Sequence, residues 1–268
     1  MSGRKTGALP YRADLYSIAL VLGMLALMLV PFARPLPAAV AVPWIALAGF
    51  VNIAVNLVNH NHTHVRTFGR PWLNRAFEYL LTLTRGSSCT FIAIIHNRNH
   101  HHYEGSERDW FRPSHQGDGP MWRRPFVYVL GAINNFRKEA RVRSMPQKLR
   151  SAIRHEHAAL AVFLVALAWA DYRALVLYVG IPLTFGNWFV VLTNLLHHDG
   201  AGVGGSYSYT SRLENALMLN GGYHAMHHLE PSLHWSELPA AHARHPRAGA
   251  LTRVSMFGHL FRAYFGGR

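Results

Sequence analysis

The sequence predicts an all-α integral membrane protein in which two transmembrane hairpins, four spans in all, carry a cytoplasmic helical cap rich in histidine. Three observations support that fold class. Half of the 268 residues are hydrophobic and only 15% are charged, where an ordinary soluble domain has about 25% charged residues. The long uncharged runs come in two closely spaced pairs, and all 19 histidines lie outside them. The length suits a single membrane domain over residues 1–268, with spans near 15–33, 38–59, 153–171 and 174–196 and a cap from 60–152 and 197–268.

The first pair is the clearest. Residues 15–33 and 38–58 carry no charge, each is near the roughly 20 residues that cross a hydrocarbon core, and only Arg34, Pro35, Leu36 and Pro37 separate them. A cleaved leader is the alternative for the first run, but no small-residue cleavage pattern follows it and a second span comes at once. In the second pair, residues 174–196 are uncharged throughout, while 158–170 are short and gain length only by taking in Arg154 and Glu156. Asp171, Tyr172 and Arg173 form the tip between them.

Charge sets the orientation. The chain has 27 Lys and Arg against 13 Asp and Glu, a net charge of +14, and only Arg34 and Arg173 fall at the far tips of the hairpins. Basic residues accumulate on the cytoplasmic side of membrane spans. Topology thus accounts for the basic excess, no recognition motif accompanies it, and no nucleic-acid partner is expected. The single cysteine, Cys89, excludes an internal disulfide and any zinc site built from several thiolates.

The cap is mixed in character. Residues 77–83 and 90–95 are apolar runs too short to span, fitting helices at the interface or packed under the spans, and 114–120 and 200–208 read as loops.

Four histidine clusters carry the chemistry. In His60-Asn61-His62-Thr63-His64, His60 and His64 stand four apart and share a helical face; the same spacing backwards reaches Asn56 and Asn52 inside the second span. In His96-Asn97-Arg98-Asn99-His100-His101-His102, His96 and His100 share a face and His101 sits one step round, so the three serve one ion or two neighbouring ones. Asn194 and His198 stand four apart at the end of the last span, with Asn187 below them; polar groups in a span face protein or a wet site. The fourth cluster is His224-Ala225-Met226-His227-His228, which Pro231 closes. Nine imidazoles in this repeated spacing point to metal, since a pH sensor has no need of it. Imidazole suits zinc, copper, iron and nickel alike, and nine ligands exceed one tetrahedral ion, which suggests two ions.

The order His60-x3-His64, His96-x3-His100-His101 and His224-x2-His227-His228 resembles the three histidine boxes of the membrane fatty acid desaturase and hydroxylase superfamily. Asn194-x3-His198 resembles its additional box. Asn220-Gly221-Gly222-Tyr223 leading into His224, and Leu229-Glu230-Pro231-Ser232-Leu233-His234-Trp235 after His228, are similar to the third-box region of its bacterial desaturase-like members. The resemblance covers roughly residues 15–245. It implies two iron ions held by His60, His64, His96, His100, His101, His198, His224, His227 and His228, with Asn194 acting nearby, and a channel for a long apolar chain. It also implies that the reduced iron centre activates O2 as co-substrate, with electrons from a separate ferredoxin, rubredoxin or cytochrome-type donor, to abstract hydrogen from an unactivated methylene.

Fatty acyl desaturation is the leading reading. Alkane, acyl or carotenoid hydroxylation or ketolation stands within the same superfamily, and a membrane zinc-dependent hydrolase is the alternative from another class. A transporter is disfavoured because the uncharged runs hold no histidine or carboxylate. His62, His102 and His197 each stand beside a box histidine and leave the ligand at that box open. Asp199, Glu230, Asp109 and Glu104 are candidates to orient the imidazoles. Arg98, Arg108, Arg112, Arg123 and Arg124 are candidates to receive an anionic head group or an acidic donor.

Overall fold

The computed structural model describes residues 7–112, 120, 122–142, 145–245 and 250–265, so the expected loop at 114–120 lies outside it apart from Pro120. The chain is mostly helical and divides into two compact units, one from residues 1–92 with 146–187 and one from 93–145 with 188–268.

The first unit begins with α1 (Asp14–Ala33) and α2 (Ala38–His64). Asp14 accepts from the Ser17 hydroxyl at 3.0 Å in the first turn of α1. The two prolines between the helices forbid continuation, and the Trp44 indole N–H donates to the Leu27 carbonyl at 2.9 Å, fixing the hairpin. The first histidine box is the last turn of α2, as its spacing predicts.

α3 (Pro71–Arg85) opens on proline, which suits a first helical turn, and ends on Gly86 at φ +75°. A Cβ there would stand 2.9 Å from Leu183 Cδ1, so conformation and space both select glycine. The expected apolar run 77–83 lies in α3, with Phe77 and Leu81 buried. The end of α3 is bound to the middle of α2, the Asn52 amide donating to the Thr84 carbonyl at 2.8 Å and Arg85 Nε to Asn56 Oδ1 at 2.8 Å. α4 (Cys89–Ala93) follows, then a π-helical stretch, Ile94–His100, and a last turn, α5 (His101–Tyr103).

Three helical stretches are long and apolar enough to cross a membrane: Asp14–Ala33, Ala38–His64 and Gln147–His198. The third comprises α7 (Gln147–Ala174), a π-helical segment Leu175–Gly180, and α8 (Ile181–His198). It is broken at Asp171, whose backbone is extended (φ −163°, ψ 105°) and whose carboxylate accepts from the amides of Arg173 and Ala174 at 2.9 and 3.1 Å. The break falls on the tip expected from the sequence. α7 takes in Glu156, a fully buried carboxylate that accepts from the Ser88 and Thr90 hydroxyls, the Thr90 amide and Arg75. Its lone pairs are spent on neighbouring helices, which is a packing role.

The second unit contains α6 (Arg124–Val142), the end of α8, and a series of short elements. These are α9 (Arg212–Leu217), α10 (His224–Leu229), α11 (Leu238–His242), α12 (Met256–Phe265) and the parallel pair β1 (Ser208–Tyr209) and β2 (Thr252–Arg253). Glu214 accepts from the amides of Met256 and Phe257 at 2.8 and 3.3 Å, anchoring α12 to α9. The expected loop 200–208 is irregular through Tyr207, with Gly200, Gly202 and Gly204 at positive φ, and its last residue, Ser208, opens β1 instead.

Candidate metal centre

In the second unit seven histidines form two groups. His100, His198, His224 and His228 are one; His96, His101 and His227 gather as the other. The first unit carries His60 and His64 side by side on the last turn of α2, ring centroids 5.4 Å apart.

The backbone explains the division. An α-helix would put His96 and His100 on one face, as the spacing predicts, but residues 94–100 are π-helical and the wider turn brings His96 to His101 instead, Nε2 to Nε2 at 2.9 Å. His100 is thereby released to the four-histidine group, its Nε2 3.2 Å from that of His198. On α10 an ordinary helical turn does the same with the other doublet. His224 and His228, four apart, meet at 3.1 Å, while His227 turns to His101 at 3.0 Å. His100-His101 and His227-His228 therefore each give one ring to each group.

The orienting contacts lie on the outer nitrogens. Asp109 accepts from His100 Nδ1, its Oδ2 at 3.1 Å, and is itself held by the Gly105 and Phe111 amides at 2.9 and 2.8 Å. Burial alone would raise the Asp109 pKa, but the His100 hydrogen bond and charge and these amides outweigh it and hold the carboxylate below its usual value. Gly105 sits at φ +69° with Val203 Cα 3.1 Å from where a Cβ would stand, so this loop closes only on glycine. His198 Nδ1 donates to the Gly205 carbonyl at 3.4 Å, and Glu104 lies 3.0 Å from His228 Nδ1 and 3.5 Å from His198 Nδ1. The Glu104 contacts fall outside hydrogen-bond angles and are electrostatic. Burial raises the Glu104 carboxyl above its usual pKa.

These partners test whether a metal fits. A carboxylate held ionised and a peptide carbonyl only accept, so both His100 Nδ1 and His198 Nδ1 carry the hydrogen, and in neutral rings both Nε2 atoms present lone pairs. Those lone pairs face each other across 3.2 Å, a repulsion that a cation between the rings removes. A proton on His198 is a poor candidate, because burial first and the surrounding imidazoles second push it well below the ordinary imidazole pKa. Nitrogens about 2.1 Å from an ion stand about 3.0 Å apart at right angles and about 3.4 Å at tetrahedral angles. The five closest pairs, at 2.9 to 3.2 Å, match the former. The residues fit a metal of high coordination number.

The remaining sequence candidates separate clearly. His197 Nδ1 donates to the Tyr207 carbonyl at 2.8 Å and its ring stacks on His224, so His198 is the member of the group. His62 is buried against Thr67 at 2.9 Å, and His102 lies exposed beside Tyr103. Of the four candidate orienting acids, Asp109 and Glu104 meet imidazoles, whereas Asp199 is exposed with Arg124 at 3.7 Å and Glu230 is exposed. The Asn194 amide donates to the Tyr128 hydroxyl at 2.9 Å, and Tyr128 in turn donates to the Phe111 carbonyl. Sequence reasoning missed Tyr128: it is 66 residues from Asn194 and stands in no motif.

A family model described as Fatty acid desaturase matches residues 11–259. No curated protein matches the chain.

Proposed function

We propose, for a chain that belongs to the fatty acid desaturase family, an O2-dependent oxidation of an unactivated C–H bond in a long-chain lipid, ending in a fatty acyl double bond. Two iron ions serve this chemistry. One is held by His100, His198, His224 and His228, the other by His96, His101 and His227 with His60 and His64, which join on the order of the family's boxes. Bound there, iron supplies dioxygen activation and hydrogen abstraction. The protein's part is to keep the imidazoles neutral and aimed, through Asp109, the Gly205 carbonyl and Glu104. Asn194 acts beside the iron with its amide held by Tyr128.

The whole chain is read as one desaturase-like domain because the family match runs unbroken over residues 11–259. The helices on either side of Asp171 are read as separate crossings, giving four spans. All but two of the 27 basic residues then lie on the side of the histidines, which supports an active site on the cytoplasmic face. Electrons come from a separate ferredoxin, rubredoxin or cytochrome-type protein.

The opposed lone pairs of His100 and His198 are the observation that carries this reading. Its test is expression in a lipid-producing host, with mass spectrometry of the lipids and elemental analysis of the purified protein. New lipids two mass units lighter, absent with His227→Ala, and iron in the protein are expected. A gain of one oxygen would move the reading to hydroxylation. Zinc alone, with activity independent of O2, would replace it with a hydrolase.

A further inference from the structure

The first unit buries a cation that no ion pair among the described residues neutralises. Arg85, the last residue of α3, is 4% exposed. Its Nε donates to Asn56 Oδ1 at 2.8 Å and its carbonyl accepts from the Asn187 amide at 2.8 Å, but Nη1 has no hydrogen-bond partner among the described residues, and no ion pair reaches it there. Arg75, on the same helix, is met by both Glu78 and Glu156. The one titratable side chain acting on Arg85 is Cys89, whose thiol burial pushes up to about 12, so it supplies no negative charge.

A second orphan lies on the facing helix. Asn52, Asn56 and Asn59 follow each other on α2 at spacings of four and three, the spacing of one helical face. Asn52 and Asn56 are engaged, the first with Thr84 and the second with the Asn52 carbonyl at 2.9 Å. Asn59 is wholly buried, yet neither its amide nitrogen nor its oxygen has a partner among the described residues. Buried polar groups in native proteins are almost always satisfied, so two in one region ask for a ligand.

We propose that Arg85, held at its Nε by Asn56, and Asn59 form a receptor for the carboxylate of a free fatty acid. A guanidinium edge presents parallel donors that match two carboxylate oxygens, and an amide N–H adds a third. The surroundings choose the lipid over an inorganic anion. Ile53, Ala54, Val55 and Val58 are buried on the same stretch of α2, and an ion stripped of water there gains only the polar contacts, whereas a hydrocarbon tail gains from the apolar walls as well. The inference rests on the lipid-oxidising reading above and narrows it to a substrate whose head is a bare carboxylate.

The test uses the full chain in lipid nanodiscs and reads displacement of a fluorescent fatty acid without turnover. Hexadecanoate should displace the probe about tenfold better than its methyl ester, the scale of one charge-assisted hydrogen bond. Arg85→Gln should abolish that preference, and Asn59→Ala, which leaves the cation in place and guards against a misfolded Arg85 variant, should reduce it at an unchanged melting temperature. Equal displacement by acid and ester, or a preference untouched by Asn59→Ala and Arg85→Lys, overturns the proposal. So does protection by acetate or chloride as strong as that by hexadecanoate, which would assign the site to a small anion. A protein that prefers the acid but never oxidises lipid keeps this site and loses only the proposed function.

Discussion

Two buried carboxylates, Glu156 in the first unit and Asp109 in the second, are equally hidden, at 0% and 1% exposure, and they do different work. Every donor to Glu156 belongs to the scaffold: Arg75 of α3, Ser88 before α4, and Thr90 within it. Asp109 takes two donors from its own loop and the third from His100, a member of the four-histidine group. Burial therefore does not distinguish a structural acid from a functional one. What distinguishes them is the destination of the last hydrogen bond, and each acid should fail in its own way when removed.

The largest effect is expected at Glu156. Glu156→Ala leaves the Ser88 and Thr90 donors without their acceptor and Arg75 with Glu78 alone, and breaking a buried charged network costs about 3–5 kcal/mol. The thermal midpoint in detergent should drop far below the wild-type value, while whatever protein survives extraction keeps its wild-type metal content. A variant that melts normally but loses metal would erase the contrast between the two acids.

Asp109→Asn should behave in the opposite manner. Gly105 and Phe111 donate to different oxygens of Asp109, so the single oxygen of asparagine keeps one of the two loop amides and the loop loosens locally, while His100 loses its charged acceptor and with it the fixed tautomer. Loss of such an orienting group typically weakens metal binding 10- to 100-fold. Equilibrium dialysis against a chelator series checks this, and an unaltered affinity would reduce Asp109 to a loop residue.

The two acids also differ in how far the sequence announced them. Asp109 is one of four acids near the boxes, and nothing local separates it from Asp199 or Glu230, both exposed in the structure. The decisive contact is made by the Gly105 turn, a tertiary event. Glu156 is worse placed for reading, because a carboxylate beside a short apolar run looks like the end of a span, and its partners stand 66 to 81 residues away. The long apolar helices, of which three among the described residues could cross a membrane, the Asp171 tip and the histidine clusters were readable because each depends on composition or on short spacing. The split of His100 from His96 was hidden, since a π-helical turn replaces the four-residue period that sequence arguments assume.

Acid should separate the two regions next. In the folded protein His224 and His228 are held below the ordinary imidazole value, so as pH falls through about 6.5 the unfolded chain takes up protons first and stability declines. Protonation also competes with metal. Asp109 has its folded pKa lowered instead, so its contribution is complete above the unfolded carboxylate value and disappears only as pH falls through the folded one, below about 4. Metal content after dialysis should therefore hold through pH 6.5, where an ordinary imidazole takes up its proton, and fall only under more acidic conditions. Metal lost already near pH 6.5 from protein whose helical circular dichroism is intact would contradict the neutral-imidazole picture.

Tyr128→Phe should produce the smallest change, and it examines how far the organisation around Asp109 extends. The Tyr128 hydroxyl takes a hydrogen from Asn194 and gives its own to the Phe111 carbonyl, and Phe111 is the residue whose amide holds Asp109. Burial raises the Tyr128 pKa well above its usual value, so the hydroxyl remains a donor across the working range. Removing it leaves the ring packed and deletes two neutral hydrogen bonds, each worth about 0.5–1.5 kcal/mol. The melting temperature should fall by a few degrees and metal affinity should hold. The Asn194 amide, however, loses the partner that fixes its orientation, so under the proposed role for Asn194 lipid oxidation should slow more than stability or metal content accounts for. If turnover falls only in proportion to folded, metal-loaded protein, Tyr128 is a packing residue and the chain of contacts from Asp109 ends at Phe111.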